Sequence, residues 1–463
     1  MRSTNVQRMS GRIALATCIA STSLAQAQTA PAITAWLQNT TVTGSYYMSG
    51  NSMAVPNGIL VNCQLVEYSN DYVYVHASGV PAYPTGPYLI GPPGTVQDQN
   101  AIFKIPLNPE QNTGTAAPTL PEYCGILING VGLWDFRDGF SWNSTTQTLD
   151  GPQGPGGGGP GGGTSDWNRD AVLVEKGNFD CSKAHPGNGN YHYHQNPTAF
   201  KLDLNVISTV CNLYDADGLY SMDSTQHAPL IGYAYDGFPI YGAFGYKNAD
   251  GTGGIARMKS GYQLRDITTR TTSPMGASVG IGPDVSTMYP LGYFREDYEF
   301  ITHPGQVDYL DEHNGRFAIT PEYPTGNYCY YATVDANWNS AYPYAIGPTF
   351  YGVFADRKVP AVDEATTVYA APVGIAETNG VVMHATVFPN PTNEFIAIQV
   401  TGLNKENLAI DLTDATGRVV KSTTLTKGMT IAYLDVQTLY AGNYFVKISG
   451  ANGSTSERVI IAR

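Results

Sequence analysis

Charged side chains are scarce in this 463-residue chain, which carries 25 Lys and Arg, 38 Asp and Glu and a net charge of −13. The charged fraction is 14%, against about 25% in an average globular protein. No basic run offsets the acidity, so the clustered cations that hold nucleic acid or an anionic membrane are missing, and neither is expected as a partner. Beyond the N-terminal leader no stretch reaches the roughly 18 uninterrupted apolar residues of a membrane-spanning helix. Familiar catalytic patterns are missing too. There is no Gly-x-Ser-x-Gly elbow, no His-Glu-x-x-His pair, no Gly-x-x-x-x-Gly-Lys phosphate loop and no dinucleotide fingerprint after a strand. The Gly-rich run near Gly156 has no Lys to serve a phosphate. An enzyme reading therefore narrows to metal-dependent chemistry.

Tyr, Gly and Pro are plentiful instead, with 32, 51 and 30 residues. Aromatics suit pleated surfaces and Gly and Pro punctuate them, so short strands joined by many turns, an all-β protein, are expected. The chain opens with Arg2, Arg8 and Arg12, an apolar run from Ile13 to Ala25 and the small-x-small pattern Ala25-Gln26-Ala27, the layout of a signal peptide over residues 1–27. A lipidation box ending at Cys18 fits only loosely, because Thr17 suits it poorly. Of six cysteines, loss of Cys18 with the leader leaves Cys63, Cys124, Cys181, Cys211 and Cys329, an odd set in an oxidising compartment. Cys181 with Cys211 is the expected disulfide. A Cys63–Cys124 pair is a weaker expectation, and Cys329 with Cys124 is another.

From Val387 the text changes to short alternating segments such as Glu394 to Val400 and Leu408 to Leu412, the pattern of a small β-sandwich. The Phe388-Pro-Asn-Pro391 start, the Asp414-Ala-Thr-Gly-Arg418 turn, the Gly442-Asn-Tyr-Phe-Val-Lys-Ile448 strand and the basic-apolar tail together resemble the type IX secretion C-terminal sorting domain, over residues 386–463. That resemblance implies the type IX secretion machinery as a partner and a secreted or cell-surface location. Before it, residues 355–385 read as a linker. Residues 28–56 form an N-terminal segment, and residues 57–354 the main β domain, with an exposed Gly/Pro-rich loop at 151–163.

The chemistry concentrates in Gly189-Asn-Tyr-His-Tyr-His194, preceded by Asp180-Cys181 and His185-Pro186. Strand side chains alternate, so His192 and His194 share one face and Tyr191 and Tyr193 the other. Two imidazoles at i and i+2 can converge on one ion, and His185 can supply a third nitrogen, a set that suits copper first and zinc second. The bland alternative is surface histidines between packed tyrosines. Three of only eight histidines within ten residues weigh against it. These motifs, with Cys124 to Val131, His227 to Gly242, Leu310 to Gly315 and Tyr342 to Pro348, resemble the YHYH-domain family, which brings no established reaction with it.

The two halves of the domain also resemble each other. Phe179-Asp180 matches Leu310-Asp311, and each is followed by a loop and Gly-Asn-Tyr. An internal duplication would align His185 with Arg316, His192 with Cys329 and His194 with Tyr331. If the two strands packed together, Cys329 or Tyr331 would approach the histidines as a soft ligand or redox partner. Asp236 reads as a turn cap or, with His227, as an orienting shell around the metal. Asp180, Asp311, His313 and Tyr331 are open between turn residues and members of that same shell. Two functions follow: an extracellular metalloprotein, or a non-catalytic module that binds glycans or a surface through exposed aromatics.

Overall fold

The chain was analysed as a computed structural model, which describes residues 30–48, 54–88, 96–119, 123–151, 166–197, 219, 220, 222–354, 358–369, 385–400, 407–414, 418–450 and 453–462. The signal peptide, most of the Gly/Pro-rich loop and Cys211 lie outside the described residues. Of the described residues 43% are strand and 4% helix, and the chain divides into two compact units, 1–371 and 372–463.

The first unit is built on two sheets that share one apolar core. A five-stranded antiparallel sheet runs in the order Lys358–Val359, Ala101–Pro106, Tyr72–Ala77, Cys63–Tyr68, Thr367–Val368. Its alternation is plain in Ala101–Pro106, where every second side chain is buried, as period-2 patterning requires. The stretch read as a linker thus supplies both edge strands of this sheet, and Tyr369 is buried beside them. Two-residue strands are too short to leave a periodic signal. The N-terminal segment likewise belongs to the core, through Ile33 and Trp36.

The second sheet has eight strands, ordered Ala184–Gly187, Asn190–Tyr193, Gly132–Trp134, Tyr123–Leu127, Leu230–Ala234, Pro239–Tyr241, Asn327–Tyr331, Gly315–Ala318. Read outward from the middle, both halves repeat one plan. Each has a central hairpin, then a parallel junction, then an outer hairpin. His192 lies opposite Gly132 and Tyr193 opposite Leu133, as Tyr330 lies opposite Ile240 and Tyr331 opposite Tyr241. Across the middle, Gly125 pairs with Ala234 and Gly232 with Leu127, the register of a pseudo-two-fold axis. Gly125 and Gly232 are equivalent under that axis, and both are required by close approach. A Cβ would stand 2.8 Å from the Tyr233 carbonyl oxygen at Gly125 and 2.5 Å from that of Ile126 at Gly232.

Details repeat as well. Asp180 accepts from the amides of Ser182 and Ala184 and from the Tyr191 hydroxyl, and Asp311 accepts from those of His313 and Gly315 and from Tyr328. Lys183 and Asn314 both take positive φ in these loops. Asn129 and Asp236 each receive the amide two residues on. The aligned residues therefore occupy equivalent places in two lobes.

Cys181 is disulfide-bonded, and its expected partner Cys211 lies outside the described residues. Cys63, Cys124 and Cys329 are buried thiols outside any disulfide, which corrects the pairs expected among them. Each Sγ instead lies beside a backbone carbonyl, of Ile128, Leu133 and Asn327 respectively, the behaviour of small apolar core residues.

The second unit packs a three-stranded sheet (Ala385–Phe388, Phe395–Val400, Ile431–Asp435) and a four-stranded one (Val419–Leu425, Leu408–Asp414, Gly442–Gly450, Gly453–Ile461). Their inner faces join Ile396, Ile398, Ile410, Leu412, Val446, Ile448 and Val459 in one core. Asn390 fastens the last strand by accepting from the Ile460 amide and donating to the Arg458 carbonyl.

Candidate metal centre

The hairpin Ala184–Gly187/Asn190–Tyr193 turns through Asn188-Gly189, both at positive φ, the two-residue turn that matches strand twist. Its register sets His185 directly across from His192. Alternation then sends Tyr191 and Tyr193 into the core, with Tyr191 on Asp180, and His192 and His194 to the opposite face. There His185, His192 and His194 bring one ligand atom each to within 4.8 Å of one another, and all three are buried. The expected triad is assembled as the alternation implied.

A fourth group joins them that the sequence did not announce. Glu175 ends the short helix Ala171–Glu175, which is capped by Asp170, and its Oε2 lies 3.1 Å from His185 Nε2 and 3.3 Å from His194 Nε2. Glu175 Oε2 and His185 Nε2 are buried without a well-aligned hydrogen bond among the described residues. Burial alone would raise the Glu175 carboxyl, but His185 and His194 outweigh it and hold it well below the usual carboxylate range.

Backbone carbonyls fix the tautomers. His192 Nδ1 donates to the Asn190 carbonyl at 2.8 Å and His194 Nδ1 to that of Asp135 at 2.6 Å, and since a carbonyl can only accept, both Nδ1 atoms carry the proton. Each neutral ring then presents its Nε2 lone pair inward, yet the two Nε2 atoms stand 3.0 Å apart. Two Nε2 atoms at that distance are held together by a shared proton or by a metal ion between them. Burial, with His185 and His194 as neighbours, depresses the His192 pKa well below its ordinary value, whereas Glu175 overcomes burial to raise that of His194. Trp134 stacks flat on His192 at 3.7 Å between centroids and fixes its ring plane. Asp135 is tied to Arg137 at 2.6 Å, which steadies the carbonyl that His194 uses.

The residues expected around the metal separate into two groups. Asp180 is in the same lobe, but its carboxylate faces Tyr191 and the Gly86 amide, beneath the hairpin rather than at the imidazoles. Asp236, His227, Asp311, His313 and Tyr331 belong to the other lobe. Asp236 accepts from Tyr330, Gly352 and Phe238 in its turn, His313 Nδ1 meets Thr349, and His227 and Tyr331 form an aromatic cluster there. Four strands separate the Asn190–Tyr193 and Asn327–Tyr331 strands, a span of about 24 Å at normal strand spacing. Cys329 and Tyr331 therefore do not approach the histidines. They hold the positions equivalent to His192 and His194, while Arg316, equivalent to His185, sets its guanidinium over the Tyr331 ring.

A family model described as YHYH protein matches residues 102–342, and one described as secretion system C-terminal sorting domain matches residues 386–462. No curated protein matches. Among solved structures, CopC from Methylosinus trichosporium OB3b aligns over 17% of this chain and 91% of its own, at 16% identity and a TM-score of 0.14, a likeness too slight to bear on fold or function. No helix among the described residues is long and apolar enough to cross a membrane, and the sorting domain marks the chain for export through the type IX machinery to the cell surface or beyond. The chain belongs to the YHYH protein family, whose naming motif, Tyr191-His-Tyr-His194 in this chain, supplies two of the three converging histidines.

Proposed function

We propose that this protein is an extracellular metalloprotein that holds one divalent transition-metal ion, copper first and zinc second, on His185, His192, His194 and Glu175. The observation that carries the reading is the convergence of three buried imidazoles, one ligand atom each within 4.8 Å of one another, beside the Glu175 carboxylate at 3.1 Å from His185 and 3.3 Å from His194. Three imidazoles and one carboxylate are borderline donors suited to Cu(II) and Zn(II), and at equal availability such a site prefers copper. Among the described residues no cysteine joins the cluster, and Cys329 lies in the other lobe, so the soft-ligand variant with Cys329 is set aside. When bound, such an ion supplies Lewis acidity or, as copper, one-electron chemistry. The chain's own contribution is to fix the ring planes through Trp134 and the two carbonyls, and to surround the donors with buried side chains.

The glycan-binding alternative needs exposed aromatics, but eight of the twelve largest fully buried side chains are tyrosines, so these rings build the core. Elemental analysis of protein purified without chelator tests the proposal. One equivalent of copper or zinc, lost in a His192→Gln/His194→Gln variant that still folds, is expected. Metal far below one equivalent after dialysis against both ions, or metal retained by the variant, sinks it.

A further inference from the structure

The second lobe keeps the scaffold of the metal centre without its ligands, and beside it opens a cleft of about 720 Å³, the size of a small-molecule site. Its lining includes Tyr220, Met222, Asp223, His227, Glu322 and Trp338. The polar chemistry is one-sided. His227 Nδ1 donates to the Ala228 carbonyl at 2.7 Å, so Nε2 carries the lone pair, and that atom is buried with no hydrogen-bond partner among the described residues. Burial keeps His227 below its ordinary pKa, helped by Arg316 and opposed by Glu322, so the ring remains an acceptor. Glu322 and Asp223 are acceptors with negative charge, and among the described residues neither Lys nor Arg lines the cleft. The nearby Arg316 guanidinium is occupied by the carbonyls of Lys247, Val307 and Tyr246.

The apolar wall is specific as well. Trp338 sits at φ +68°, a left-handed conformation that is an outlier for a bulky residue, and its loop is clamped by Asp335 through the amides of Asn337 and Asn339. Gln226 spends its amide on Asp223 and Tyr220 its hydroxyl on Asn196, so a cleft with two carboxylates, walled by indole, phenol and thioether, is complementary to a donor-rich cation with an apolar body, because aromatic faces and carboxylates both favour ammonium.

We propose that this cleft binds an organic ammonium ion, its charge between Glu322 and Asp223, one N–H on His227 Nε2 and its apolar body against Trp338. The site is independent of the metal centre in the other lobe. Calorimetric titration of the full chain with phenethylammonium tests it, alongside 2-phenylethanol and 3-phenylpropionate as neutral and anionic controls. Saturable one-site binding of the ammonium is expected, weakened about tenfold in Glu322→Gln and for the neutral alcohol, as loss of one charged hydrogen bond implies. Binding should be unchanged in His192→Gln/His194→Gln. Glu322 also accepts from Tyr241, so Trp338→Leu, judged folded by circular dichroism, gives a second reading in which weaker binding is again expected. Absence of saturable binding, or equal affinity for the alcohol or the acid, overturns the proposal.

Discussion

Chelated protein should gain thermal stability on adding copper or zinc, by an amount that the structure bounds. The unit that holds the site ends at Ala371. With about 340 residues beyond the leader, and an unfolding entropy near 2.1 cal/mol/K per residue, its melting entropy is about 0.7 kcal/mol/K. The four donors converge only in the folded chain, since Glu175 comes from a helix and the histidines from a hairpin, so metal binding is linked to folding. Free metal at a thousand times its Kd then contributes about 4 kcal/mol, which raises the melting midpoint by about 6 °C. Calorimetry of the chelated and reloaded protein measures this directly. The His192→Gln/His194→Gln variant should lose the rise, measured against its own chelated midpoint. A rise below about 1 °C in the parent, or an equal rise in the variant, refutes the reasoning.

Further predictions concern the scaffold. Gly232→Ala places a Cβ 2.5 Å from the Ile126 carbonyl oxygen and should cost about 1–3 kcal/mol in urea unfolding; a neutral outcome contradicts the close central pairing. Burial raises the Asp236 carboxyl from 3.8 to about 6, so the folded chain holds a proton that the unfolded chain releases. That stability is present below pH 4 and lost as pH rises to about 6, at most about 3 kcal/mol. Asp236→Asn should therefore lose less stability than the parent between pH 4.5 and 7, and equal slopes count against it. If the second lobe is a metal scaffold with replaced ligands, Arg316→His/Cys329→His/Tyr331→His should take up a second, weaker equivalent of metal, read by titration with elemental analysis.

The fold class and the shared face of His192 and His194 were legible because strand alternation is local, and the duplication because Asp180 and Asp311 each need the same loop around them. What the alignment hid was its own consequence. Residues that align with ligands sit at equivalent places in another lobe, so Arg316, Cys329 and Tyr331 could not also stand beside the ligands. His227, Asp236, Asp311 and His313 were drawn toward the metal by residue type alone, and the pseudo-two-fold axis places them in the second half. Glu175 went unread because nothing in Ala171-Val-Leu-Val-Glu175 marks it. Only the tertiary path of that short helix brings its carboxylate to the imidazoles. The edge strands at Lys358–Val359 and Thr367–Val368 were too short to show a period, and their segment read as linker.

The central claim is that four side chains share one ion. Diffraction from metal-soaked crystals, recorded on either side of the copper or zinc absorption edge, tests it most directly. The account predicts one anomalous peak about 2.0–2.2 Å from the Nε2 atoms of His185, His192 and His194 and from a Glu175 carboxylate oxygen. No peak there at full soak, or a peak only at other residues, contradicts it.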